Sequence, residues 1–201
     1  MNTENLLQQI KLEFKNVSLD DNYTLPEEDY ADTSRWHFDK RRIDLNLTEE
    51  EWANQEIHFI DTSGWLLEER QEAINAIKEK RRMSNRYPNP LEIPSIYLER
   101  YSSGFGYLTP KAYLFYTPAT MIYALNDANG IDSESFRSWL RRLSWANNHE
   151  LITELLKFFS KNQISILHNF LLHMSNKTPS ELINNLMNKC LENIRYLGFN
   201  N

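Results

Sequence analysis

A capping residue stands at the head of almost every apolar stripe in this chain, and that pairing limits what it can fold into. Thr48-Glu49-Glu50-Glu51 and Ser160-Lys161-Asn162-Gln163 have the form of a capping box. In such a box a hydroxyl and a carboxylate or amide each satisfy the other residue's backbone N–H. Thr178-Pro179-Ser180-Glu181 joins that signal to an early proline. Thr109-Pro110 and Thr117-Pro118 place proline where the first helical turn needs no amide proton. Behind these caps, apolar residues return every three or four positions, the spacing of one helix face.

The spacing predicts a helix through Leu6, Leu7, Ile10 and Phe14, capped by Asn2 or Thr3, and a short one around Trp52. Gly64 to Met83 is rich in helix formers, with Leu67, Ile74 and Ile77 as its stripe. Thr117 should cap a helix through Met121, Ile122 and Leu125 to a stop at Asn129-Gly130. Ser133 should cap one bearing Phe136, Trp139, Leu140 and Leu143. Leu151, Ile152, Leu155, Leu156 and Phe159 mark another, as do Ile164, Leu167, Phe170 and Leu171. The last carries Leu182, Leu186, Cys190, Ile194 and Leu197 before Gly198. His58-Phe59-Ile60-Asp61 reads as a short extended stretch, Pro88, Pro90 and Pro94 as an end to regular structure, and Tyr101 to Gly106 as a turn. Residues 16–47 lack helical periodicity and read as a long irregular acidic loop. No run alternates as a strand would. The expectation is a mainly α fold: residues 1–201 as one helical domain of about seven to eight helices.

Charge is unevenly placed. Residues 1–60 hold 14 acidic and 6 basic side chains, a net of −8, within a chain whose net charge is −6. Asp20, Asp21, Glu27, Glu28, Asp29 and Asp32 carry the densest part. Such a surface repels nucleic acid and attracts a basic protein, although a solvated acidic loop with no partner has the same composition. Lys78, Lys80, Arg81, Arg82 and Arg86 gather at the end of a helix, where cations complement the dipole; Lys40, Arg41 and Arg42 form a second basic group.

The residue inventory removes several chemistries. One cysteine, Cys190, leaves no intramolecular disulfide and no multi-cysteine zinc site. It sits on an apolar helix face and reads as an inert core thiol. Only 5 glycines leave no phosphate-binding loop and no nucleophile elbow. No cofactor and no metal site are expected; the one stretch that suggests an enzyme is His37 among Asp29, Asp32 and Asp39, as a metal-dependent centre. No apolar run spans a membrane and no leader is evident, so a cytoplasmic location is expected. Tyrosines are dense between Tyr97 and Tyr123. Tyr113, Phe115, Tyr116 and Tyr123 read as core by their spacing, while Tyr97 and Tyr101 are candidates for a recognition surface.

The segment Gly106-Tyr107-Leu108-Thr109-Pro110-Lys111-Ala112-Tyr113-Leu114-Phe115-Tyr116-Thr117-Pro118-Ala119 resembles the signature of a small bacterial domain family of unknown function, which carries a Tyr-Leu-Pro-Ala-like phrase. Pro118 and Ala119 match it, with Thr117 in place of the leucine. Ile10, Phe14, Val17 and Trp52 match near the amino end, and Leu156 to Gln163, Ile166 and Phe170-Leu171 resemble the closing pattern. The likeness spans about 5–175, with the helix near 65–86 and the C-terminal helix at 178–198 as additions. It implies no reaction. More loosely the chain is similar to immunity proteins that neutralise bacterial toxins. The functional expectation is a non-enzymatic acidic binding protein of that kind, its partner a toxin with a basic surface rather than nucleic acid or membrane. Its contact residues would be Asp20, Asp21, Glu27, Glu28, Asp29, Asp32, Tyr97 and Tyr101. Circular dichroism is expected to show helix as the dominant component; a sheet spectrum would overturn the fold reading.

Overall fold

The protein is described by a computed structural model over residues 2–33, 44, 47–60, 62–83, 87–145, 149–178 and 180–196, without the side chains of 30–33, 80 and 149. Among these residues there are ten α-helices and no strand: α1 (Thr3–Phe14), α2 (Leu25–Thr33), α3 (Glu49–Ile57), α4 (Leu67–Met83), α5 (Ser95–Arg100), α6 (Pro110–Asn126), α7 (Glu134–Ser144), α8 (His149–Leu156), α9 (Lys161–Ser175) and α10 (Glu181–Tyr196). Two short 3-10 helices, Pro90–Glu92 and Ser102–Gly106, lie on either side of α5. The mainly helical expectation holds. More helices form than the seven to eight expected, because the prolines and the acidic stretch do not keep their segments irregular.

Helix α6 is the centre. Tyr113, Leu114, Phe115, Tyr116, Thr117, Pro118, Ala119 and Thr120 are all buried in succession, which no amphipathic surface helix shows. α1, α5, α7, α8 and the Pro90–Glu92 turn pack around it, with α9 and α10 outside α1 and α7. Thr109 caps α6 as expected, its hydroxyl accepting from the Ala112 N–H at 3.2 Å. Thr117, expected to start a separate helix, lies in the middle of this one, and Pro118 is accommodated in the helix interior. Thr117 instead ties α6 to α7. Its hydroxyl donates to Tyr113 O at 2.7 Å and accepts from Trp139 Nε1 at 3.1 Å. Tyr113 OH in turn donates to Trp139 O at 2.9 Å, and the two rings stack 6.1 Å apart at 4°. Burial of these polar atoms is tolerable because each has a partner.

The acidic stretch is the main correction. Residues 25–33 form α2, and Glu27, Glu28 and Asp29 are only 2, 8 and 9% exposed. Thr24-Leu25-Pro26-Glu27 is a capping box of its own. The Thr24 N–H donates to Glu27 Oε2 at 2.8 Å, and the Glu27 N–H donates to Thr24 Oγ1 at 3.3 Å. The Leu25 N–H donates to Tyr116 OH at 3.2 Å, which fixes the head of α2 on α6. On the other side α2 packs on the Ser102–Gly106 turn, where Ser103 Oγ donates to Asp29 Oδ1. Only a glycine fits at 104, since a Cβ there would stand 2.6 Å from Leu25 O.

Smaller departures follow the same logic of packing over pattern. His58 is the αR cap of α3 and Phe59 continues a turn rather than an extended stretch. Leu67 is 84% exposed, so the apolar stripe of α4 reduces to Ala73, Ile74 and Ile77. The cap of α10 is Ser180, whose hydroxyl accepts from the Ile183 N–H at 3.4 Å, while Thr178 Oγ1 accepts from the Ser180 N–H. Leu182 of the expected stripe is 55% exposed, and Ile183, Met187, Cys190, Leu191 and Ile194 form the buried face.

Thr117→Val keeps the shape but leaves the Trp139 indole N–H buried without an acceptor; a loss of about 1–3 kcal/mol in denaturant unfolding is expected. Gly104→Ala forces Leu25 and α2 outward and is expected to cost about 1–3 kcal/mol. A stability equal to wild type for Gly104→Ala would mean that α2 is not seated on this turn.

Candidate functional site

Helices α3 and α4 form an antiparallel pair with a small core of their own: Trp52, Ala53, Ile57 and Ile77, with Leu47, Ile60, Ala73 and Ile74 around them. That cluster is separate from the main one. Lys78 pairs with Glu50, Arg82 reaches Glu49 at 3.8 Å, and Arg81 Nε donates to Leu47 O at 2.9 Å. Lys78, Arg81 and Arg82 therefore tie α4 to α3 and to Leu47, a role other than the expected complement to the helix dipole; the Lys80 side chain and Arg86 lie outside the described residues. The pair joins the body through packing of α4 on α2 and through the Arg100–Glu79 salt bridge. It stands as an arm.

The tip of this arm is apolar and open. Trp65, Leu66 and Leu67, consecutive in sequence, are 41, 66 and 84% exposed, and Phe59 on the facing helix end is 44% exposed. Gly64, at φ +88°, makes the turn that delivers them. The Trp65 N–H donates to Thr62 O at 3.1 Å, and the Leu66 N–H donates to Glu69 Oε2 at 2.7 Å, which caps the start of α4. Glu68, Glu69 and Glu72 are exposed beside the apolar residues, against one basic side chain, Arg70. A contiguous apolar patch rimmed by charge is the surface type that marks a protein–protein contact, and tryptophan is enriched among the residues that dominate such contacts. Composition alone pointed elsewhere, because this stretch is buried in a helix-forming run. The legible signal was the Trp-Leu-Leu triplet, which no single helix face can bury.

The residues expected at the interface do not come together there. Asp20 and Asp21 are exposed, Asp20 at φ +50°. The Ser18 hydroxyl, donating at 2.6 Å, and Lys111 Nζ at 3.0 Å hold the Asp20 carboxyl below its ordinary pKa. Glu27, Glu28 and Asp29 are buried in α2, and the Asp32 side chain lies outside the described residues. Tyr97 and Tyr101 belong to the core, at 0 and 2% exposure. Tyr97 OH shares a hydrogen bond with Tyr116 OH at 3.3 Å, and burial pushes its pKa up. Tyr101 OH has no hydrogen-bond partner among the described residues, and burial raises its pKa to about 12.

Cys190 is fully buried, with its thiol 3.5 Å from Leu140 O and its pKa pushed up by burial. Among the described residues no three metal-ligating side chains converge; His37 and Asp39 lie outside them. No helix among the described residues is long and apolar enough to cross a membrane.

The sequence pattern of a family of unknown function, DUF6714, matches residues 55–196. The chain belongs to that family. The matched span takes in the arm tip, α4, the central helix and α10, and leaves α1 and α2 outside. It thus differs from the 5–175 span of the looser resemblance, which set α4 and α10 apart. No curated protein and no solved structure matches the chain.

The unfolded chain ionises tyrosine from about pH 10, while Tyr97, Tyr101 and Tyr113 stay protonated in the fold. Their contribution to stability is complete below that pH and is lost as pH rises from there through the raised folded-state values. Absorbance titration at 295 nm (a wavelength that reports tyrosinate) is expected to show a class of tyrosines that ionises later than the rest, only as the fold opens. A single early titration would place these rings in solvent.

Proposed function

We propose that the protein is a non-enzymatic binding protein that engages another protein through the tip of the α3–α4 arm. The observation that carries this is the exposure of Trp65, Leu66 and Leu67 in one run, flanked by Glu68, Glu69 and Glu72. The matching partner surface is an apolar cleft with a basic rim. The looser likeness to toxin-neutralising immunity proteins gives the reading its specific form, in which the partner is a toxin with a basic surface and binding blocks it. The acidic complement of such a partner is then supplied by the arm rather than by residues 20–32.

Two features of the arm suit it to the role. Its tip is carried on helices with their own core, so burying the tip in a partner leaves the main core undisturbed. The glutamates are exposed, so they act on the encounter rate more than on fold stability. The test is co-production with the product of the adjacent gene, read as growth of the host and as affinity of the purified pair. Trp65→Ala with Leu67→Ala is expected to weaken binding about thirtyfold or more, the scale of one contact-dominating residue, with an unchanged melting temperature. Reversal of Glu68 and Glu69 to Lys is expected to lower the association rate and flatten its dependence on salt. An arm variant that protects and binds as wild type does would overturn the assignment.

A further inference from the structure

A second surface lies on the body of the protein, between α7 and the Ser102–Gly106 3-10 helix. There Tyr107, Glu134, Ser138, Arg141, Arg142 and Trp145 line an open groove of about 370 Å³. Tyr107 and Trp145 are 42 and 68% exposed. Trp145 is the residue at which α7 stops, and its side chain is left in solvent at the mouth of the groove.

The charge in the groove is arranged rather than merely present. Glu134, in the first turn of α7, is the sole carboxylate of the lining. Its Oε1 accepts from Arg141 Nη1 at 2.8 Å and from Ser138 Oγ at 3.4 Å, and its Oε2 accepts from Arg137 Nη2 at 2.8 Å. One negative charge is thus divided between two guanidinium groups. Arg142 faces a neutral acceptor instead, with its Nη2 donating to Leu108 O at 3.2 Å, and it pairs with no carboxylate among the described residues. The carbonyl holds the guanidinium against the wall of the groove. The lining residues Glu134, Arg141 and Arg142 therefore carry a net positive charge of one, with Arg137 paired to Glu134 from outside the lining, in a chain of net −6.

We propose that this groove is a docking surface for an acidic segment of a partner protein, one carrying an aromatic side chain among its carboxylates. Guanidinium groups fixed at a wall take carboxylates in a two-point geometry that a flexible lysine does not offer. The exposed ring of Trp145 supplies the contact for a ring, and Trp and Arg are residue types that dominate protein interfaces. A small molecule fits less well, because sites of that kind enclose most of their ligand, whereas this groove is open along one side. The sign is opposite to that of the arm tip. The two surfaces select different partner segments, and this inference stands independently of the arm.

The test is selection of random peptides displayed on phage against the immobilised full-length chain, followed by affinity measurement of the selected peptides in solution. Enrichment of sequences with Asp or Glu next to Trp, Tyr or Phe is expected, with affinity falling as salt rises. Trp145→Ala removes an exposed side chain and leaves the core untouched; it is expected to weaken those peptides at least tenfold, and Arg142→Gln to weaken them and reduce their salt dependence. Trp65→Ala at the arm tip is expected to change neither. Enrichment of neutral or basic sequences, no enrichment at all, or full binding by Trp145→Ala would overturn the proposal. Loss of binding in the Trp65→Ala variant would place the site on the arm instead. Selected peptides reproducing Trp65 to Glu69, with a mass that grows with concentration in sedimentation, would assign the groove to a second copy of this chain and overturn the separate partner.

Discussion

The structure depends on burying α6 on every side. A helix apolar around its whole circumference cannot lie on a surface, so the other elements must wrap it. What makes the wrapping specific is the polar minority within the segment. Tyr113, Tyr116 and Thr117 each present one atom that is costly to bury without a partner. Thr117 receives the Trp139 indole, Tyr113 finds the Trp139 carbonyl, and Tyr116 receives the first amide of α2. Those bonds fix how α7 and α2 approach, where apolar packing alone would tolerate several arrangements. Other elements are pinned by the same device. Gln163 at the head of α9 donates to Glu13 O, and Asn193 of α10 donates to Leu143 O.

The α3–α4 arm follows a different rule. Its core of a few residues is too small for an independent domain, and its exposed faces are held by ion pairs and by the Arg81–Leu47 bond. Exposed pairs of this kind contribute little each, so the arm borrows stability from α2 and from Arg100. An element that spends so little of its apolar content on its own core can keep Trp65, Leu66 and Leu67 for something else. This sets the arm, with its handful of core residues, apart from the body and its far larger core. The groove beside α7 is one place where the body also leaves an aromatic side chain exposed, Trp145 at 68%.

Charge illustrates how far composition reaches. The −8 excess over residues 1–60 is real, yet Glu27, Glu28 and Asp29 within its densest part do not face solvent. Glu27 faces inward because the buried head of α2 needs an acceptor for the Thr24 amide, and Asp29 because Ser103 supplies a hydroxyl. A carboxylate in sequence carries no sign of whether a backbone donor awaits it. Thr24-Leu25-Pro26-Glu27 held the same capping signal that located α3 and α9. It was masked because Pro26 and the run of acids argue for a loop, and because no apolar stripe follows to mark a helix face.

What the sequence determined alone is local: which segments are helical, where most begin, and which face carries the core in α1, α7 and α9. Caps and apolar periodicity act over a few residues, so one chain segment contains all the information they need. Cys190 as an inert core thiol was readable for the same reason. The tertiary structure decided the rest. Thr117 and Pro118 had the form of a helix start, but burial against Trp139 made continuing the helix the better state. Tyr97 and Tyr101 went to the core, and the Trp65 triplet to the surface, because each helix has one interior and the positions in it are allotted by what packs alongside. Which side chains meet a partner depends on what the fold leaves uncovered, and that is settled only after every long-range contact has been made.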